Sequence, residues 1–304
     1  MRRIWCEFKS PEELRRPFVA KVLARFGVAL NYKVEYGRVD GELFAMLRRF
    51  NEEGVPVSLW LTLPDERGYW INERNCLEFQ RYVEEVLARL AKERLAIRGI
   101  CADMEPPLAL VRALAGEFGP LRQWGGKLGL VTVNMNPFRY RRSEEVLRAV
   151  AHSLTERGLE GMGVGMREVI ADLKRKYPLA QNAAETPILD VPWSVHNFMF
   201  YATMLRQQYD GPGDATEAVN RTIREEIRLL QQRFGERLAI SAGVTNVGKM
   251  GNEAHYGSAE EMRPDLELIK SLGIKDLSLF SLDGLMEEGK LAEYLGVFAE
   301  YVER

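Results

Sequence analysis

What most constrains this chain is an alternation. Short apolar runs are followed by longer segments of helical periodicity, eight times over. Strands are predicted at 3–8 (RIWCEF), 27–35 (GVALNYKVE), 56–63 (PVSLWLTL), 96–105 (AIRGICADME), 127–135 (KLGLVTVNM), 186–193 (TPILDVPW), 238–245 (LAISAGVT) and 276–283 (DLSLFSLD). Several are apolar on both faces, as a parallel strand covered by helices must be. Between them the spacing turns helical: Leu77, Tyr82, Val83, Val86, Leu87 and Leu90 fall mostly on one stripe of 75–94.

Helix starts carry matching signals. Ser10-Pro11-Glu12-Glu13 supplies a capping serine, a proline for the first turn and early acids that favour the positive end of the helix dipole. Ser143-Glu144-Glu145 and Ser258-Ala259-Glu260-Glu261 repeat the idea. Gly27, Gly54 and Gly273 stand where a left-handed cap would separate a helix from the next strand.

Eight alternations leave a doubly wound open sheet or a closed barrel. The count and the 304-residue length fit a single (β/α)8 TIM barrel spanning residues 1–304, with no linker to divide it. No glycine-rich phosphate loop follows the first strand, where a dinucleotide-binding sheet would want one. The segment 161–165 (GMGVG) reads as a turn between two helices, and 138–185 and 194–236 are each long enough for two helices.

Composition removes some partners. A net charge of −2 favours neither a nucleic-acid backbone nor an anionic membrane surface. Cys6, Cys76 and Cys101 are far apart, lack metal-ligand spacing and fit a reducing compartment. No run has signal-peptide character or approaches the ~20 apolar residues of a membrane span. A cytoplasmic protein with no cofactor and no metal is the expectation, its oligomeric state unassigned.

A barrel of this kind works at the carboxyl ends of its strands. The polar residues predicted there are Glu35, Asp103, Glu105, Asn134, Asn136, Asp190 and Asp283, with the loop 246–257 adding Glu253 over the same face. Strand four is the most specific. Side chains alternate, so Cys101, Asp103 and Glu105 share one face, and two acids stepping up it repel each other. One is therefore held protonated more readily, as a general acid requires. Trp60, Tyr69, Trp70, Trp193, Tyr256 and Phe280 fall at or after strand ends and offer flat faces for a sugar ring, the Gly68-Tyr69-Trp70 loop reading as exposed. Glu253 is a candidate second carboxylate opposite Glu105. His196 and His255 follow predicted strands without a serine or cysteine partner for a triad.

The segment Arg98-Gly99-Ile100-Cys101-Ala102-Asp103-Met104-Glu105 resembles the strand-four signature of family-eighteen glycoside hydrolases, the chitinase family, D-G-x-D-x-D-x-E. Gly99, Asp103 and Glu105 match; Arg98 and Cys101 replace the first two aspartates. The resemblance implies that Glu105 protonates the glycosidic oxygen and Asp103 orients the substrate's N-acetyl group. Phe280 would stand where the family has a tryptophan floor. The family's strand-six M-x-Y-D is missing from Ile188–Trp193. A glycoside hydrolase acting on an oligosaccharide or glycoconjugate is thus the first expectation. A metal-dependent sugar isomerase or lyase using Glu105, Asp190, His255 and Asp283, and a carbohydrate-binding barrel without catalysis, are the others.

Overall fold

The computed structural model describes residues 1–108, 111, 135–175, 177–246, 251 and 253–301. Eight parallel strands close in sequence order into one barrel. They are β1 (Arg2–Cys6), β2 (Val28–Glu35), β3 (Val57–Thr62), β4 (Gly99–Met104), β5 (Glu160–Met166), β6 (Val195–Phe200), β7 (Leu238–Gly243) and β8 (Asp276–Phe280). The seam is a short ladder, Arg2 to Ile4 of β1 against Leu277 to Leu279 of β8. Helices cover the outside, among them α1 (Pro11–Leu14), α2 (Pro17–Phe26), α3 (Gly41–Glu52), α4 (Cys76–Lys92) and α5 (Pro137–Glu156). The fold is the predicted (β/α)8 TIM barrel.

Six strands lie where the sequence puts them; the fifth and sixth do not. The segment GMGVG, read above as a turn, is the body of β5, and β6 is Val195–Phe200 instead of 186–193. Each long supposedly helical stretch therefore hid a strand. The sequence's fifth strand, 127–135, falls almost wholly outside the described residues.

One packing arrangement explains both errors. Along β5, Gly161, Gly163 and Gly165 form the face turned to the helix layer and contribute no bulk. Trp193 lies over Gly161 and Gly163, and Ile188 lies against Gly165. The apolar run 186–193 is thus a plug supplied from outside the sheet, and its side chains take the place of those β5 lacks. Periodicity registers hydrophobic residues but not the glycines they pack on.

The helix start predicted at Ser143 does not hold. Asn136 caps α5, accepting from the Arg139 amide at 3.0 Å, while Ser143 sits inside the helix. Ser10 forms the expected capping box with Glu13, its Oγ accepting the Glu13 amide at 3.2 Å. Gly27 ends α2 in the left-handed conformation, at φ 62°.

The barrel's interior is graded from charge to aromatic. At the amino-terminal end Arg3 is fully buried; its guanidinium donates to Asp276 at 2.8 and 2.7 Å and to Glu160 at 2.6 and 3.0 Å. Arg98 joins from outside, 2.9 Å from Glu160. Burial would raise the Glu160 pKa, but Arg3 and Arg98 together hold it below its ordinary value. Above this plug, Trp5 donates to Ser241 at 3.0 Å, Ser241 to Asn197 at 2.7 Å and Asn197 to Ser278 at 3.2 Å. Trp60 meets Trp5 edge-on at 5.5 Å. Space opens only toward the carboxyl ends.

A Cβ on Gly163 would lie 2.3 Å from the Trp193 ring, which is fully buried. Gly163→Ala should therefore destabilise the barrel by about 1–3 kcal/mol, the usual range for overpacking. Thermal unfolding checks this: an unchanged midpoint would mean that the indole is free to move away.

Candidate functional site

β4 runs up the wall with Cys101 and Asp103 on its inward face, and Glu105 follows one residue beyond the strand. Pro106 and Pro107 then hold the exit extended. The loop after β3 folds back on this strand, the Ile71 amide donating to the Asp103 carbonyl at 2.8 Å. That contact buries Tyr69 and Trp70, correcting the exposed loop expected above. Tyr69 donates its hydroxyl to Glu7 Oε1 at 2.6 Å.

Glu7, Trp70, Asp103 and Glu105 line a cavity of about 350 Å³ at the barrel mouth, within the size range of small-molecule sites. Glu7, Asp103, Glu105, Glu168 and Glu253 supply carboxyls; Trp5, Trp60, Trp70 and Phe280 supply aromatic faces. Asp103 is buried and its Oδ1 has no hydrogen-bond partner among the described residues; the Trp60 indole N–H lacks one as well.

Burial lifts the Asp103 carboxyl well above the usual carboxylate range, and Glu7 nearby lifts it further. Glu105 is lifted too, first by burial, then by the charges of Asp103, Glu7 and Glu168. The Tyr201 phenol, also in the cavity, is raised by burial and by Asp103, Glu105 and Glu7. Acids crowded in an apolar space share protons, so each holds its proton to a higher pH than it would alone.

Of the residues singled out from sequence, Asp103, Glu105, Glu253, Trp60, Trp70 and Phe280 come together around this cavity, with Tyr69 directly behind. The others do not. Glu35 is exposed beside Lys33, 3.0 Å away, in a neighbouring cavity. Asn136 is an exposed helix cap, and Asn134 lies outside the described residues. Asp190 pairs on the surface with Arg233 at 2.7 Å. Trp193 is the β5 plug, and Tyr256 is core, donating to Asp265 at 2.7 Å. Asp283 accepts the amides of Glu7, Phe8 and Lys9 at 2.9, 2.8 and 3.1 Å, fixing the loop after β1. His196 is buried against Phe234 at 4.0 Å, and burial lowers its pKa to about 3. Among the described residues, no three His, Cys, Asp or Glu side chains are grouped to hold a metal, and Asp190 and Asp283 are committed elsewhere.

Sequence reasoning missed Glu7, Glu168 and Tyr201. Glu7 was legible: Arg3, Trp5 and Glu7 alternate along the first strand as Cys101, Asp103 and Glu105 do along the fourth. Glu168 and Tyr201 follow β5 and β6, the two strands the sequence misplaced. With β6 in its true position, its end reads Met199-Phe200-Tyr201-Ala202, which fits M-x-Y of the strand-six pattern with alanine in place of the aspartate.

No protein-family model matches the chain. No curated protein matches its sequence. Solved structures share its fold. A chitinase from Chromobacterium violaceum ATCC 12472 superposes with a TM-score of 0.56 at 12% identity over 100% of both chains. A GH18 chitinase from Cycas revoluta in complex with (GlcNAc)3 gives 0.53 at 11% identity over 99% of each chain. A D-psicose 3-epimerase, solved in the presence of D-fructose, gives 0.51 at 10% identity over 99% of this chain and 98% of its own. The likeness is one of architecture: a chitinase-like TIM barrel.

The raised Asp103 carboxyl has a consequence for stability. Because the folded state holds this proton more tightly than the unfolded chain, stability falls as pH rises above the ordinary aspartate value of 3.8. Asp103→Asn removes that dependence. It should stabilise the fold by about 1 kcal/mol or more near pH 8, and by less near pH 5, in urea melts. A gain that does not grow with pH would mean that Asp103 titrates normally.

Proposed function

We propose that this barrel is a glycoside hydrolase, cleaving a glycosidic bond in an oligosaccharide or glycoconjugate with Glu105 as general acid and Asp103 assisting. One observation carries the reading: two acids on successive inward positions of β4 enter an aromatic-lined cavity where burial favours their protonated forms. Glu105 would protonate the leaving oxygen, and Asp103 beneath it would orient the substrate or stabilise the positive charge that develops on the ring carbon. Trp60, Trp70 and Phe280 would stack on pyranose faces. Tyr201 stands where the family pattern has its strand-six tyrosine, which supports a role beside Asp103. Glu253, in the same cavity, is the candidate second carboxylate.

Cys101 in place of the pattern's inner aspartate favours a second reading, a barrel that binds glycans without cleaving them. Its thiol is fully buried, and burial raises its pKa, so it offers no charge to replace the missing carboxylate. Release of reducing ends separates the two readings.

Glu105→Gln keeps the shape of the side chain and removes its acidic proton. Turnover of a released glycan should fall by roughly 10²–10⁴-fold, the usual contribution of a general acid, with the melting curve preserved. Since the acid works protonated, wild-type activity should persist above the ordinary glutamate value of 4.5 and decline only as pH passes the raised one. Undiminished turnover in the Gln variant would remove Glu105 from the chemistry.

A further inference from the structure

The apolar lining of the mouth cavity is divided. Its indoles come from one arc of the barrel: Trp5 on β1, Trp60 on β3 and Trp70 on the loop that follows β3. Beyond β4 the character changes. Val164 and Met166 take successive inward positions at the end of β5, and Met199 is the last inward residue of β6. Met204 and Leu205 line the same side from the short helix Ala202–Gln207, and Val244 follows β7.

β4 stands on the border between the two arcs. Met104, between the two acids, pairs with Ile71 on one side, which brings Trp70 alongside, and with Gly165 of β5 on the other. Asp103 and Glu105 therefore leave the wall with an indole to one side and Met166 to the other.

The arcs suit different chemistries. Indole faces stack on the C–H faces of a sugar ring. Thioethers and branched alkyl groups make no directed bonds, and methionine adapts to the apolar shape it meets. Met166, Met199, Met204 and Leu205 are only half-buried, so they turn to the cavity apolar surface that the barrel's own packing does not cover. Polar side chains on this arc, among the described residues, are Arg167, Glu168, Tyr201 and Gln208. Arg167 is engaged by Glu226, to which it donates at 2.9 and 2.6 Å.

We propose that the cavity takes a glycoside with an apolar aglycone, an aryl or alkyl group seated on the β5–β7 arc while the sugar stacks on the indoles. The sugar half of this statement rests on the hydrolase reading; the apolar half rests on the aliphatic arc alone. A space of about 350 Å³ suits one ring with a compact apolar group. The glycosidic oxygen then falls at the border that Glu105 occupies. Cleavage breaks the bond between that oxygen and the sugar carbon, and Glu105 gives its proton to the leaving oxygen. Water supplies the hydroxyl to the sugar carbon and a proton back to the carboxylate, and the aglycone leaves as an alcohol or phenol.

The test is calorimetric. Naphthyl and methyl N-acetyl-β-glucosaminides, and naphthol alone, are titrated into Glu105→Gln protein. The naphthyl glycoside should bind at least tenfold more tightly than the methyl glycoside, and naphthol should bind and compete with it. Met199→Gln and Met204→Gln keep the side-chain length and add an amide; each should weaken the naphthyl glycoside by roughly fivefold and leave the methyl glycoside unaffected. Met204 lies on a helix outside the barrel strands, so its variant reports even if Met199→Gln fails to fold. Equal affinity for the two glycosides, with no binding of naphthol, overturns the proposal and leaves the hydrolase reading standing. Failure of all three probes to bind overturns the apolar site. Naphthol binding that responds to the methionine variants supports the apolar arc. If in addition no naphthyl glycoside of the common hexoses gains affinity from its sugar or is cleaved by the wild type, it is the hydrolase reading that falls.

Discussion

Closing eight parallel strands into a ring forces every second side chain toward one axis, and the room along that axis decides everything else. At the amino-terminal end the space is taken by an arginine between two carboxylates, Arg3 with Glu160 and Asp276. Above it a tryptophan and a chain of small polar side chains occupy the middle. What remains open lies at the carboxyl ends, so any acid that β4 or its neighbours turn inward there faces a shared cavity. The site is a remainder of the packing, with its position set by what already fills the rest.

That logic also explains how much could be read in advance. β1 to β4, β7 and β8 carry their own hydrophobic residues on the face turned to the helices, and the sequence shows them directly. β5 borrows its outer face from Trp193 and Ile188, so a strand looked like a turn and its plug looked like a strand. The error passed on to function. Placing the sixth strand at 186–193 hid Tyr201 and made Asp190 and Trp193 look like strand-end residues. Asp103 and Glu105 were legible because alternation on one strand is a local rule. Glu7 obeys the same rule and was missed only because its neighbours on the strand carry no pattern. Asp283, expected to end a strand, lies in a short turn beyond β8, and its partners are backbone amides of the loop after β1, which no local rule supplies.

The departures from the chitinase pattern have structural counterparts. Arg98, where the pattern has its first aspartate, is 2.9 Å from Glu160 and belongs to the ion cluster that closes the barrel floor. Cys101 packs in the interior against Met162, with sulfur atoms 3.9 Å apart, and adds apolar volume where the pattern has charge. The second change takes polarity out of the middle of β4 and leaves the acids concentrated at its tip. Desolvation there acts on a cluster instead of a single group, and it favours the protonated acids.

The join between β8 and β1 is held without a covalent link: Arg3 grips Asp276 at one end, and Asp283 gathers three amides of the first loop at the other. During synthesis the first strand must wait for the last before either clasp can form. Glu7, carried on that first loop, is therefore made well before the last strand and is among the last residues to be fixed in place. The site would then mature only when the ring shuts, and a nascent or truncated chain would have an unfinished mouth however well its middle had folded.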